Sequence, residues 1–455
     1  MFPRVFPAVL WIVGVFVISA RATDWPQFRG AEGKGEDAVA GPVSWGQDSN
    51  VRWQVKLPGP GASSPIIFGD RLFVTSYSGF GVDAENPGTT DKLVRHLSCL
   101  EAATGKEIWK RDLHTQSPEA PYRAMMTQHG YASNTPATDG KQVFVFLGTG
   151  GVVALDFKGN EVWRKSVGTG TDGWGSGSSL LLSDSLVIVN AAIESDAVVA
   201  LRKDNGAQVW KFSVSHRSWS TPALVEVDGG KHELVVSSQE RISGIDPASG
   251  KELWHCQGIS DYTCPSVIPG KGMAYIAGGR QSHIIAVRCG GSGDVEKTHV
   301  VWRQRVGGNV TTPVLHGEHL FGVSDRGIAY CVDAKTGEKR YEMRLESAKA
   351  DVRPAAYQPP PGRGRGRGFG GPGGRGGPGG GGIQVYASVI AAGDLIYAVS
   401  RSQGTFVIAA EPSFKLLSQN KLPEDTTNFD GTPAVVDGRL YLRSNENLYC
   451  IGKKE

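Results

Sequence analysis

Nine residues stand where chemistry could be done: His129, Tyr131, Trp174, Arg217, Trp219, Asp261, Tyr262, Asn309 and Asp430. Each lies a few residues ahead of a short run of small side chains. Those runs are Asn134-Thr135-Pro136, Ser176–Ser179, Ser220-Thr221-Pro222, Thr263-Cys264-Pro265, Thr311-Thr312-Pro313 and Gly431-Thr432-Pro433. The indoles and phenols offer planar apolar faces, Arg217 offers a cation with five donors, and Asp261 and Asp430 offer carboxylates able to act as general bases. Arg217 lies two residues ahead of Trp219, so strand alternation puts both on one face, suited to an acidic or planar ligand. Such residues converging on one mouth make a ligand site. They also pack on and hydrogen-bond one another, and the sequence leaves both readings open.

What must position them is a repeated unit. Five segments run through a turn into an aromatic residue: Thr104–Trp109, Lys158–Trp163, Asn205–Trp210, Ser249–Trp254 and Thr336–Tyr341. An alternating strand precedes each turn (GVVALDF, IAYCVDA), and a second precedes that one (QVFVFLG, LFGVSD). Four short strands repeated eight times predict an all-β, eight-bladed β-propeller of four-stranded antiparallel blades. Small residues suit the innermost strands, where eight crowd round an axis. The last copy stops after its third strand, at Cys450-Ile451, and Asn50–Leu57 has the form of the missing fourth. An N-terminal strand is therefore expected to complete the last blade and close the ring, removing an open edge.

These repeats resemble the PQQ-type propeller repeat of quinoprotein alcohol dehydrogenases and of the outer-membrane assembly protein BamB, over roughly residues 50–452. Trp25-Pro26-Gln27-Phe28-Arg29-Gly30 resembles the N-terminal lead of exported members. A WD-type propeller is disfavoured because no Trp is followed by Asp. The resemblance implies a mouth where the quinoproteins place their cofactor, but fold does not fix function. One expectation is an exported, non-catalytic scaffold, with no cofactor, that binds a protein or small-molecule ligand at the propeller face. The alternative is a quinoprotein-like oxidoreductase holding PQQ and Ca²⁺ at the mouth, with Asp430 or Asp261 as general base. Quinoprotein alcohol dehydrogenases typically carry a vicinal Cys pair; no two Cys are adjacent here, which favours the first.

Arg4, an apolar stretch to Ala20 and the small-x-small Ala20-Arg21-Ala22 form a signal-peptide pattern. Residues 1–22 are read as that signal, 23–49 as a lead segment and 50–455 as the propeller. A periplasmic or secreted, monomeric protein without a transmembrane span after cleavage is expected. The 455 residues carry a net charge of +3. Without Arg4, Arg21 and the four arginines of the Gly/Arg-rich tract at 362–382 the balance turns negative, so nucleic acid is disfavoured as a partner. That tract reads as a disordered insertion between two blades. Of the six cysteines, Cys99, Cys331 and Cys450 fall in a strand column that otherwise holds Ala or Gly, which assigns them to packing; a Cys256–Cys264 bridge is left to geometry. His316-Gly317-Glu318-His319 falls in a turn column and reads as a hairpin tip rather than a metal site. Nothing marks a Ser/His/Asp triad.

Overall fold

A computed structural model of the protein describes residues 24–47, 49–115, 117–345 and 382–453. The signal pattern at 1–22 and nearly all of the Gly/Arg tract lie outside the described residues. Eight antiparallel sheets succeed one another along the chain. Blades 1 to 8 begin with the innermost strands Ile66–Phe68, Ala137–Thr138, Leu181–Ser183, Ala223–Val227, Ile268–Gly270, Val314–His316, Ile390–Ala392 and Ala434–Val436. In blade 8 the outer strand is Val51–Lys56, paired antiparallel with Asn447–Ile451. The ring is thus closed by the N-terminal strand, as the missing fourth strand requires. Two blades gain a short parallel strand: Glu36–Asp37 lies against blade 7 and Gly293–Asp294 against blade 4.

The small-residue signature has a direct cause. Around the axis a hydroxyl of one blade accepts from a backbone N–H of the blade before it. Ser64 N–H donates to Thr135, Thr135 to Ser179, Ser179 to Thr221, Ser266 to Thr312, Thr312 to Ser388, and Ser388 to Thr432, at 2.9–3.1 Å. These strands are too crowded for larger side chains, and the hydroxyls satisfy amides that no neighbouring strand reaches. The seam between blades 8 and 1 uses the buried Arg443, which donates to Ser63 Oγ at 2.8 Å and Thr75 O at 2.7 Å. Burial lowers its pKa to about 9.

The outer strands are tied by indoles. Trp53, Trp109, Trp163, Trp210 and Trp302 each donate Nε1–H to a carbonyl beside the next blade's turn: Ala102, Phe157, Lys203, Pro247 and Ala334. Each ring lies over that turn's glycine. A Cβ on Gly105 would sit 2.7 Å from Trp53, at φ +75°. Trp254 departs from the rule because blade 5 replaces the turn with a longer connection. Its indole donates to Glu233 Oε2 at 2.7 Å and covers Gly244 of its own blade. That contact explains why the Ala/Cys column holds Gly there. Cys99, Cys331 and Cys450 are fully buried in the column, and all six cysteines, Cys256 and Cys264 among them, are free thiols.

The lead segment laces the end of the ring opposite the mouth. Trp25 bridges to Ile67 of blade 1, Pro26 O accepts from Thr138 of blade 2, and Gln27 Oε1 accepts from Leu182 of blade 3. Arg29 then enters the axis, fully buried, and donates to Pro313 O and Val389 O at 2.9 Å. Desolvation lowers its pKa to about 10. His316 and His319 pair across a hairpin tip, and no cluster of metal-ligating side chains occurs among the described residues.

Candidate functional site: the channel mouth

Strands alternate in direction, so connections between blades and loops between second and third strands open on one face, the mouth. The longest described connection, between blades 1 and 2, carries a short helix, Met126–His129, across the opening. His129 Nε2 lies 2.9 Å from Trp174 O and Nδ1 2.7 Å from Ser133 Oγ. Burial pushes its pKa below the ordinary histidine value. The preceding residue, Gln128, accepts at Oε1 from Arg401 of blade 7 at 2.7 Å. Arg401 also grips Asp430 with two hydrogen bonds, 2.7 and 3.2 Å, and stacks over Tyr386 at 4.6 Å. Burial lifts the Asp430 carboxyl, opposed by the paired guanidinium.

The aromatic residues pack on one another. Trp174 lies 5.1 Å from Trp219 and 4.7 Å, edge to face, from Tyr262. Trp219 is buried and donates Nε1–H to Gly175 O at 2.8 Å. Tyr262 is buried, its pKa pushed up to about 12 by desolvation, with Arg280 over its ring at 5.7 Å. Tyr131 belongs to a different cluster with Tyr77 and Phe80, and its hydroxyl donates to Ala120 O. Asp261 accepts from the Arg280 amide, and Asn309 N–H donates to Asp325. Arg217 is exposed whereas Trp219 is buried. Strand alternation does not apply here, because outside a lone bridge from Ser218 to Thr263 the stretch is not a strand. The indole packs on Trp174 and Gly175 while Arg217 is exposed, so the two do not offer one open surface.

The sequence did not point to Arg401, which follows an ordinary second strand, or to Glu194, in a second-to-third-strand loop. Glu194 Oε1 is buried without a partner, and desolvation raises its pKa to about 7. It borders a cavity of about 20 Å³ together with Met126, Ser176 and the Arg95–Glu119 ion pair. That is room for about one water.

A family model described as outer membrane protein assembly factor BamB matches residues 93–342, more than half of the chain. The chain belongs to this family. No curated protein matches significantly. Among solved structures, BamB from Moraxella catarrhalis is 14% identical, with a TM-score of 0.57, covering 89% of this chain and 98% of its own. Quinohemoprotein alcohol dehydrogenase from Comamonas testosteroni is 10% identical, TM-score 0.59, over 95% and 81%. A europium-containing methanol dehydrogenase is 10% identical, TM-score 0.61, over 94% and 98%. These structures share the fold of this BamB-family propeller, and the family supports either a scaffold or a quinoprotein-like relation. Among the described residues no helix is long and apolar enough to cross a membrane.

Proposed function

We propose that this BamB-family propeller is an exported binding scaffold whose mouth face docks another protein. The observation that carries this reading is the occupancy of the mouth by its own side chains. Gln128, Arg401 and Asp430 join across it, and Trp174, Trp219 and Tyr262 fill their side of it. The cavity beside the Met126–His129 helix offers about 20 Å³, too little for a planar cofactor. A larger one of about 280 Å³, lined by Gly404, Lys421, Asp425 and Phe429, lies between blades 7 and 8 and holds none of the candidate residues. Asp430, the candidate base, is committed to Arg401, and Asp261 is held by an amide. These commitments favour a scaffold over a mouth that holds PQQ with Ca²⁺.

What remains available is the outer surface of the mouth. Arg217, Arg280 and Arg326 are exposed in connections of blades 4, 5 and 6. Three arginines on successive blades suit an acidic partner surface, steering its approach at low salt. Export rests on the pattern of residues 1–22, and the family's description as an assembly factor points the same way.

The test has two arms. Purified protein mixed with PQQ and Ca²⁺ is expected to bind no stoichiometric quinone and to reduce no dye with alcohols. A photo-crosslinking residue at 217, 280 or 326 is expected to trap a protein in cells, whereas one at Gly229, on the opposite hairpin face, is not. Stoichiometric quinone with alcohol-dependent turnover would overturn the reading.

A further inference from the structure

Away from the mouth axis, three side chains on adjacent strands of blade 1 meet in a line. Ser78 ends the strand Arg71–Ser78, His96 lies on Val94–Glu101 and Asp112 on Glu107–Leu113. The register pairs Ser76 with His96 and His96 with Asp112. Ser78, two residues beyond Ser76, shares their face of the sheet. Ser78 Oγ lies 2.8 Å from His96 Nε2, and His96 Nδ1 lies 2.7 Å from Asp112 Oδ1. The hydrogen bond to His96 holds the Asp112 carboxyl below its ordinary value. An ionised carboxylate only accepts, so Nδ1 carries the proton and Nε2 is left to accept from the Ser78 hydroxyl. Nucleophile, base and orienting carboxylate thus stand in the order that acyl transfer uses.

The surroundings add to this. His96 is buried, whereas Ser78 is half-buried at the edge. The strand ladder ends at Ser78 paired with Val94. The next residue, Gly79, is exposed with φ +81°, and its N–H meets no acceptor among the described residues. The amide after a nucleophilic serine is a usual donor to the oxyanion. The Pro58-Gly59 segment runs alongside: a Cβ on Gly59 would lie 3.9 Å from Ser78 Cβ. A small acyl group suits a serine with backbone this close beside it.

We propose that Ser78, His96 and Asp112 form a serine-esterase site for short-chain carboxylic esters at the mouth-side end of blade 1, away from the axis and not resting on the docking role. Ser78 Oγ attacks the carbonyl carbon as its proton passes to His96 Nε2. The bond to the leaving alcohol breaks, and His96 returns that proton to the alkoxide. Water, deprotonated by His96, then cleaves the acyl-serine to a carboxylic acid and regenerates Ser78. The sum is ester plus water to acid plus alcohol. Asp112 is a positioning residue, acting through His96.

The experiment treats the full-length protein with a fluorophosphonate probe and, separately, with p-nitrophenyl acetate. Peptide mapping is expected to place the phosphonate on Ser78. Ser78→Ala is expected to abolish both labelling and the esterase activity above background while keeping the parent's melting temperature. Asp112→Asn is expected to lower kcat about 100-fold with KM unchanged, in line with general acid–base contributions, and Asp112→Glu to restore part of it. A folded protein whose Ser78 stays unlabelled, or a Ser78→Ala variant that hydrolyses the ester as fast as the parent, overturns the proposal.

Discussion

Replacing Gly105 with Ala tests whether the indole ties hold the ring shut, and Gly69→Ala supplies the matched control. Both glycines sit in hairpin turns of blade 1 at positive φ, +75° and +57°. A side chain at such φ costs about 1–2 kcal/mol by itself. Beyond that they differ. A Cβ on Gly69 meets nothing within 4 Å, whereas one on Gly105 would lie 2.7 Å from Cε3 and 2.8 Å from Cδ2 of Trp53. Ring atoms cannot approach that closely, so the indole must retreat. Its retreat loses the Nε1–H bond to Ala102 O, now 3.2 Å, a contribution of about 1 kcal/mol. The overpacked contact adds about 1–3 kcal/mol. Gly105→Ala should therefore destabilise by about 3–6 kcal/mol and Gly69→Ala by about 1–2 kcal/mol, read as urea midpoints at unchanged slope. In a Trp53→Ala background the excess should vanish, because the two residues are directly coupled. Equal losses for the two alanines, or an excess that survives removal of Trp53, would refute the argument.

Other outcomes follow from single contacts. Burial raises the Glu194 pKa from 4.5 to about 7, so the folded state binds the extra proton; its stabilising effect is complete below about pH 4.5 and lost as pH rises through 7. Glu194→Gln should match the parent near pH 4.5 and exceed it by about 3 kcal/mol at pH 8, measured by urea unfolding at both. Arg401→Met leaves Asp430 buried without its partner and should cost about 3–5 kcal/mol, partly recovered by adding Asp430→Asn. Gly244→Ala installs the residue that other blades carry in that column, yet its Cβ would lie 2.1 Å from the Trp254 indole. It should destabilise by about 1–3 kcal/mol, while the reverse change, Ala200→Gly in blade 3, should cost less in the same thermal melts.

The architecture was legible because it is written eight times. The turn glycine and the following aromatic residue fix where each outer strand begins, and the truncated last copy demanded Asn50–Leu57 as its partner. The axial hydroxyls were visible as small residues, although their bonding role appears only once the strands are side by side. The mouth was legible in place but not in detail. Whether Trp219 faces water or packs on Trp174 is not set by alternation, because outside one bridge, Ser218 to Thr263, its stretch is not a strand. Arg401 and Gln128 are 273 residues apart in sequence, so no local pattern joins them. Ser78, His96 and Asp112 were equally hidden: their meeting depends on the register of three strands, and each alone is an ordinary strand residue. Trp254 looked like its counterparts and is not, because the deciding change lies in blade 5.

The departures from the repeat carry the individuality of this propeller, and they share a consequence. At one end Arg29 enters the axis and spends its donors on carbonyls of blades 6 and 7. At the other, the helix Met126–His129 reaches from the blade 1–2 connection to Arg401 of blade 7. Both ends of the axis are occupied by the chain itself, by charged groups whose partners are internal. Removing either group would strand a buried charge or carbonyl, so neither is free to open for a ligand without an energetic penalty of several kcal/mol. A partner, on the proposed reading, meets loops rather than a channel. Its affinity should then respond to Arg217, Arg280 and Arg326, whose removal costs the fold little, and stability should respond to Gln128, Arg401 and Arg29, whose removal costs it much. Binding and folding are carried by different arginines, and the two sets can be varied separately.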